Sequence, residues 1–427
     1  MGKLRVLLIT RECLRTDSNE GNVLLGLFSG IDAECANIYC KPGLPDNSLC
    51  GGYFQLTDKM ALENILHRKP MGRRVQCENG INAAQTAEVE KRGFYDFFRR
   101  HNLPVFHAAR ECLWSIADFR SGELDSFVRG FAPDVIFAPL CYSMYVLAVQ
   151  RYVISLAGCP AVTYIYDDLY SLRQISFSPV YWLCRFRQRR LIRKTLPFYR
   201  FAYTMCAQQA REFGRYFDIP MRVLPKCAGT VQQPERLADG TVRLIYAGGV
   251  YYGRDKTLAA VASAVRELNA AGMSARLDVY TSSPLKKAAA AALDDGQCCF
   301  VHAAIPADDL RRAYAQSDIA LHVESFDKKN ALITRLSFST KIVDCLASGC
   351  AVLAACPEMN ARWQYLHYED AAVCVNTSSK LKAAVNNLVY DREYRKSYEI
   401  KARICLEKNH DSKKICCQIE NDIRHLE

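Results

Sequence analysis

The sequence predicts an α/β protein with two Rossmann-like domains in tandem, and three observations carry that prediction. The chain has 427 residues, more than one ordinary core organises. Short apolar runs alternate with helix-length segments, the pattern of parallel strands covered by helices on both faces. A polar stretch after Pro225, KCAGTVQQPERLADGTV, interrupts that alternation with the Gly, Pro and Gln content of a linker. The predicted division is a first domain at 1–225, a linker at 226–240, a second domain at 241–400 and a charged helical tail at 401–427.

Taken in order, the first series has strands at 5–9, 37–40, 135–138 and 162–166. The second has strands at 242–247, 277–281, 299–301, 319–323 and 351–354, with helices at 256–271, 285–293, 307–316 and 341–347 between them. Half of the residues are hydrophobic and 24% are charged, a globular balance that argues against disorder. The first strand, LRVLLIT, runs straight into Arg11 and Glu12, unlike a secretory leader. The longest uncharged runs, 135–150 and 152–166, are split by Arg151, and each falls short of the ~18 to 20 residues of a spanning helix. A cytoplasmic protein is expected.

The twenty cysteines lie scattered through apolar elements, with no C-x2-C pair. That pattern predicts reduced, mostly buried thiols and no metal, since Cys298/Cys299 and Cys416/Cys417 are adjacent pairs with poor ligand spacing. The net charge of +11 is concentrated. Residues 169–211 contain nine Arg and Lys and no Asp or Glu, so one region supplies most of the excess.

Two segments carry the chemistry. In IYAGGVYYGRDKTL (245–258) a strand breaks at Gly248 and Gly249, and Arg254 and Lys256 arrive at the mouth of an alanine-rich helix. Glycines after a parallel strand let backbone amides approach an anion, the helix start adds partial positive charge, and the two cations suit a diphosphate. A solvated glycine turn with two surface cations is the plainer alternative. In SFSTKIVDCLASGCAVLA (337–354) Ser339 or Thr340 is placed as N-cap, and Lys341 and Asp344 share a helical face. Ser339, Thr340 and Lys341 can hold a phosphate while Asp344 accepts ribose hydroxyls; a weak surface pair of Lys341 with Asp344 is the alternative. Neither a G-x-G-x-x-G after a strand nor a G-K-[ST] occurs, which argues against dinucleotide and simple ATP chemistry.

The succession GGVYYGRDKTL, HVES with Glu324, and STKIVDCLASGCAVLA resembles the donor-binding domain of glycosyltransferases with the two-Rossmann (GT-B) fold, whose domains face a central cleft, and in particular the retaining family 4. The resemblance implies a transferase using a nucleotide diphosphate sugar, UDP-sugar foremost, without a metal. It implies that Lys256 corresponds to the family's phosphate-binding lysine, that Arg254 stands in for an arginine nearer the strand, that Glu324 faces the donor sugar and that Asp344 holds the ribose. Glu324 and Asp344 are twenty apart where the family has two glutamates eight apart, KKNALITRL is inserted, and Ala351 stands where proline is usual. His302, after a strand, corresponds to a position near the nucleotide base.

By the same resemblance, Gly21 and Asn22 in DSNEGNVLLGLF form a glycine loop on the acceptor side. Tyr166, Asp167 and Asp168 in YIYDDLYSL end a strand where relatives show His-Asp. Asp167, Asp168 and Glu324 are the catalytic candidates and Tyr166 an acceptor contact; capping of the next helix is the alternative for the aspartates. The acceptor implied is a saccharide or polyprenyl-linked saccharide of a surface polysaccharide.

In SPVYWLCRFRQRRLIRKTLPFYR, Arg185, Arg189 and Arg193 recur every four residues, with Arg187, Arg190 and Lys194 beside them and Trp182, Phe186, Leu191 and Ile192 interleaved. Such a helix fits an anionic membrane surface contacted by residues 182–200, Trp182 through Arg200, or simply a solvated face. No nucleic-acid recognition module accompanies the charge. A nucleotide-sugar epimerase or phosphorylase of the same fold, and a non-catalytic lipid-binding protein, are the rival readings.

Overall fold

The protein is described by a computed structural model covering residues 3–75 and 104–426. It divides into two compact units, the first comprising residues 1–172, 176–224 and 413–427, the second 173–175 and 225–412.

The first unit contains β1 (Leu4–Thr10), α1 (Asn19–Phe28), β2 (Ala33–Tyr39), β3 (Cys50–Gln55), α2 (Asp58–His67), β4 (Arg73–Val75), α3 (Pro104–Ile116), α4 (Gly122–Phe131) and β5 (Val135–Phe137). It continues with α5 (Met144–Ala157), β6 (Ala161–Ile165), α6 (Pro179–Thr195), β7 (Ala202–Thr204), α7 (Ala207–Phe213) and β8 (Met221–Val223). The sheet order is β4-β3-β2-β1-β5-β6-β7-β8, parallel except for the β3–β4 pair. Val6, Leu7, Leu8 and Ile9 of β1 are all fully buried, as a central parallel strand covered on both faces requires. Each such side chain contributes about 1.5 to 3 kcal/mol of burial. The chain order reverses between β1 and β5, and that is where an open sheet of this kind offers a binding crevice.

Five strands escape sequence reading. β3 carries Gly51 and Gly52, and β4, β7, β8 and, in the second unit, β14 (Val373–Val375) span three residues each, too few to show a period. β6 ends one residue before Tyr166, leaving that tyrosine in the following loop. α6 begins where Ser178 accepts the Tyr181 amide and Pro179 fills the first turn. Its inner face is Arg185, Gln188, Ile192 and Thr195, all buried, so the Arg185/Arg189/Arg193 row runs from a buried Arg185 through a half-buried Arg189 to an exposed Arg193.

The second unit contains β9 (Val242–Ala247), α8 (Arg254–Ala270), β10 (Ala275–Thr281), α9 (Lys287–Leu293), β11 (Cys299–Ala303), α10 (Ala307–Ala315) and β12 (Ile319–Val323). It continues with α11 (Lys328–Ile333), α12 (Lys341–Ala347), β13 (Ala351–Ala355), α13 (Ala361–Tyr368), β14 (Val373–Val375), α14 (Leu381–Tyr390) and α15 (Arg392–Asn409). The all-parallel order β11-β10-β9-β12-β13-β14 is the doubly wound arrangement, with its reversal between β9 and β12. Leu244, Val279, Leu321 and Leu353 of the sheet pack with Leu258, Val261 and Val265 of α8 and with Val385 and Leu388 of α14.

The polar stretch expected as a linker is strapped along the second unit. The Gln232 amide donates to Ala347 O, the Glu235 amide to Ala315 O, and Arg236 pairs with Asp318 and Glu399. The expected tail is divided in the same way. α15 stays with the second unit, whereas the last helix, α16 (Ser412–Arg424), belongs largely to the first. Its Ile415, Cys416, Ile419 and Ile423 are buried, and Asp422 accepts from Tyr203 Oη at 2.8 Å and Arg222 Nη1 at 2.6 Å. Among the described residues the cysteines form no disulfide and are mostly buried.

Candidate functional site

The switch point of the second sheet is built from the end of β9, the end of β12 and two helices. After Ala247 the chain turns through Gly248 and Gly249, and the Gly248 amide donates to Tyr280 O at 2.9 Å. A Cβ on Gly248 would lie 2.1 Å from Lys341 Nζ, so glycine is what lets the Lys341 ammonium seat against the turn. Gly253, at φ +77°, is the N-cap of α8; a Cβ there would meet Ser325 Oγ at 2.6 Å. Tyr252, beside it, is held at φ +54°, a strained position for a residue with a side chain.

Arg254, the first residue of α8, is buried rather than free in solvent. Its Nη2 donates to Glu324 Oε1 at 2.7 Å and its Nη1 to Gly249 O at 3.2 Å. Glu324 follows β12 directly and is 1% exposed. Its Oε1 also accepts from Arg362 Nη1, while Oε2 has no partner among the described residues. Arg362, on α13, is fixed in turn by Ser337 O at 2.8 Å and Thr334 O at 3.3 Å. One buried carboxylate therefore sits between two guanidinium groups, with Lys341 close enough to feel the charges of Arg254 and Glu324. Burial, then Arg254, bring the Lys341 ammonium down to about 8, with Glu324 opposing. His322, behind it on β12, is held neutral by burial and by Arg362 and Arg254.

The other predicted donor residues are placed as follows. Lys256 is exposed on the first turn of α8. Thr340 is the N-cap of α12 but its side chain makes no cap hydrogen bond, and Ser339 accepts the Ile342 amide through its carbonyl. Asp344 is half-exposed and pairs with Lys226 Nζ at 2.8 Å, not with Lys341. Lys226 Nζ also reaches Thr340 O at 3.4 Å, and its own carbonyl accepts from His410 Nδ1 at 2.9 Å. His302 lies on the edge strand, 2.7 Å from Asp278 and stacked on Tyr280. Sequence reading missed Arg362 and Lys226; its available signal was that a buried Glu324 needs counter-charge, with nothing to say from where. Among the described residues one group has metal-like proximity, Asp295 with Cys298 and Cys299. There Asp295 Oδ1 accepts the amides of Gln297, Cys298 and Cys299, a loop-fixing role.

At the switch point of the first sheet the predicted residues divide. Gly21 is buried in the first turn of α1, its amide on Ser18 Oγ at 3.0 Å, and a Cβ would lie 2.2 Å from Arg15 O; Asn22 is exposed. Asp168 is committed to its own loop. Its carboxylate accepts from the Tyr170 and Ser171 amides, the Ser171 hydroxyl and, at 3.4 Å, Arg185. This is not the helix capping weighed as the alternative, since Ser178 caps α6, and it leaves Asp167, half-buried, as the more accessible aspartate. The Tyr166 hydroxyl is buried without a partner among the described residues, and burial together with Glu20 pushes it well above its ordinary value.

Glu20, unremarked in the sequence, is the distinctive group of this unit. Burial, reinforced by Glu12, raises its carboxyl to about 7 against the pull of Arg11 and Lys41. Glu12 itself is paired with Lys41 at 2.5 Å and Arg11 at 3.5 Å. A carboxyl balanced near neutrality can either donate to or accept from a hydroxyl.

No protein-family model matches this sequence, and no curated protein matches it either. Solved structures do share the fold. Sucrose-phosphate synthase from Thermosynechococcus elongatus is 11% identical with a TM-score of 0.63, over 99% of this chain and 98% of that one. HepE from Anabaena, solved in complex with UDP and glucose, is 11% identical with a TM-score of 0.62, over 99% and 100%. The E. coli trehalose-6-phosphate protein bound with UDP-2-fluoro glucose is 10% identical with a TM-score of 0.60, over 99% of both chains. The two-Rossmann fold, GT-B in kind, is thus common to this chain and to all three.

Proposed function

We propose that this two-Rossmann chain is a glycosyltransferase that takes its sugar from a nucleotide diphosphate sugar, UDP-sugar foremost. The observation that carries the proposal is the seat of Lys341 against Gly248, beside the Arg254–Glu324–Arg362 cluster at the sheet's switch point. Three cations against one carboxylate leave an excess of positive charge where the backbone turns without side chains in the way. Such a site stabilises the negative charge that grows on a departing diphosphate without requiring a metal. In this reading Gly248, Gly249, Arg254, Lys341, Ser339 and Thr340 receive the diphosphate, with Lys256 at the rim. Asp344, oriented by Lys226, receives ribose hydroxyls, His302 stands on the side of the base, and Glu324 Oε2 faces the sugar. UDP in complexes of structures with the same fold supports the choice of base.

On the acceptor side the proposal uses Tyr166, Asp167, Glu20 and the Gly21–Asn22 turn, which offer hydroxyl-directed donors and acceptors but little net positive charge. A saccharide acceptor, presented on a lipid carrier for a surface polysaccharide, fits that chemistry and the peripheral membrane contact proposed for α6. Retention of configuration and membership of family 4 rest on the motif resemblance. Titration of the full chain with UDP and UDP-glucose by calorimetry tests the donor assignment, with thermal unfolding as a second readout. At a hundredfold excess over Kd a bound nucleotide stabilises the native state by about 2.7 kcal/mol. No binding of any UDP-, GDP- or ADP-sugar would remove the proposal.

A further inference from the structure

We infer that the solvent face of α6, from which Arg185 of the arginine row is withdrawn, is a docking face for an anionic bilayer, with a cationic cavity at its C-terminal end that receives headgroup phosphates. The inference refines the membrane contact proposed above and rests on it.

The solvent side of α6 is Val180, Leu183, Phe186, Arg187, Arg190, Arg193 and Lys194, one stripe at helical spacing. A solvent face is ordinarily polar, yet Leu183 is 70% and Phe186 55% exposed, and Phe177 just before the helix is 97% exposed. The N-terminal half thus presents large apolar side chains to water and the C-terminal half presents cations. A cavity of about 430 Å³ lies at the junction, lined by Leu172, Phe186, Arg189, Arg190, Arg193 and Lys194.

These cations differ from Arg185, which is buried against Asp168. Arg189 stacks over the Tyr170 ring at 3.9 Å and donates to the Tyr170 carbonyl; Arg193 donates to the Tyr170 hydroxyl. Those contacts aim both guanidinium groups without neutralising them. None of Arg189, Arg190, Arg193 or Lys194 forms an ion pair among the described residues, Arg187 alone lies within reach of an acid, Glu111, and residues 169–211 contain no acid. A fixed cluster of unneutralised cations next to exposed aromatic and aliphatic side chains complements a surface that is anionic outside and apolar just beneath, which is a bilayer of acidic phospholipid. No helix of the described residues is long and apolar enough to cross a membrane, so the contact lies on the surface.

The test is co-sedimentation of the full chain with vesicles of equal phosphatidylglycerol and phosphatidylcholine, and with phosphatidylcholine alone. The wild type is expected to bind the acidic vesicles at least about tenfold better in low salt. Arg190→Glu with Lys194→Glu should lower that binding by about 25-fold or more, since each near-surface cation contributes roughly fivefold. Leu183→Ser with Phe186→Ser should leave binding at low salt and make it salt-labile. All four side chains are exposed, so unchanged thermal unfolding verifies the fold of both variants. Equal binding to both vesicle types, indifference to both pairs of substitutions, or tighter retention by single-stranded RNA than by vesicles would overturn the docking face. UDP binding is read in parallel. It should be unchanged in the variants, and its absence in the wild type would remove the transferase reading while leaving the vesicle result standing.

Discussion

The two units build the same kind of sheet and put opposite chemistry at the same topological place. At the β9/β12 reversal, Arg254, Arg362 and Lys341 surround one buried carboxylate, and the site is cationic whatever the pH of a cell. At the β1/β5 reversal, Glu12 is already neutralised by Lys41 and Arg11, and Glu20 is left titrating at about 7. Equal topology therefore does not imply equal ligands. The charge brought to each crevice differs, an excess of cations in one lobe and a titrating carboxyl in the other.

The largest effect separating the lobes should come from Arg362→Ala. Removing one guanidinium leaves Glu324 buried and undercompensated, and urea unfolding should show a loss of about 3 to 5 kcal/mol. A loss below about 1 kcal/mol would mean that the cluster is solvated and the contrast between lobes is weaker than drawn. Next in size, Lys341→Ala should weaken UDP binding about 10- to 100-fold, the worth of one charge-assisted contact, without lowering stability. Lys256→Ala, at the exposed rim, should change it about threefold or less, and an inverted order of the two would transfer the phosphate to the α8 rim.

The pH dependence sharpens the comparison, because the two lobes carry shifts of known sign. Lys341 falls to about 8 in the folded chain, so UDP affinity should decline as pH rises through 8. Stability of the free protein should move the other way, rising from pH 8 towards 10.5, because there the unfolded chain binds the additional proton. In the first lobe Glu20 is raised from 4.5 to about 7, so its contribution is complete below pH 4.5 and is lost as pH rises through 7. Glu20→Gln should accordingly match the wild type near pH 4 and exceed it by about 1 to 2 kcal/mol at pH 8, a shift discounted for partial solvation. Its UDP affinity should be unchanged; a change would tie the two sites together.

How far the sequence reaches can be followed residue by residue. Gly248, Gly253 and the start of α8 were legible because a glycine turn and a helix mouth are local features. The linker's polar composition was legible too, but its strapping to Ala315, Ala347 and Glu399 was not, since those partners come from distant elements. Asp344 was recognised as a helix-face carboxylate, yet its partner is Lys226, 118 residues away along the chain, and not its neighbour Lys341. The arginine row of α6 was read as one surface because spacing defines a face and not its direction; Asp168 draws Arg185 inward, while Arg193 of the same row stays exposed.

By itself the sequence determined the α/β class, the two-domain division, the glycine turn after β9 and the place where positive charge accumulates, all of which follow from period, local backbone freedom and composition. Only the tertiary structure decided which lysine faces Gly248, that Arg362 completes the clamp on Glu324, and that Glu20 titrates near neutrality. Those properties depend on burial and on charges brought together from separate elements, and electrostatic energy is set by distance in space and local solvent rather than by position along the chain.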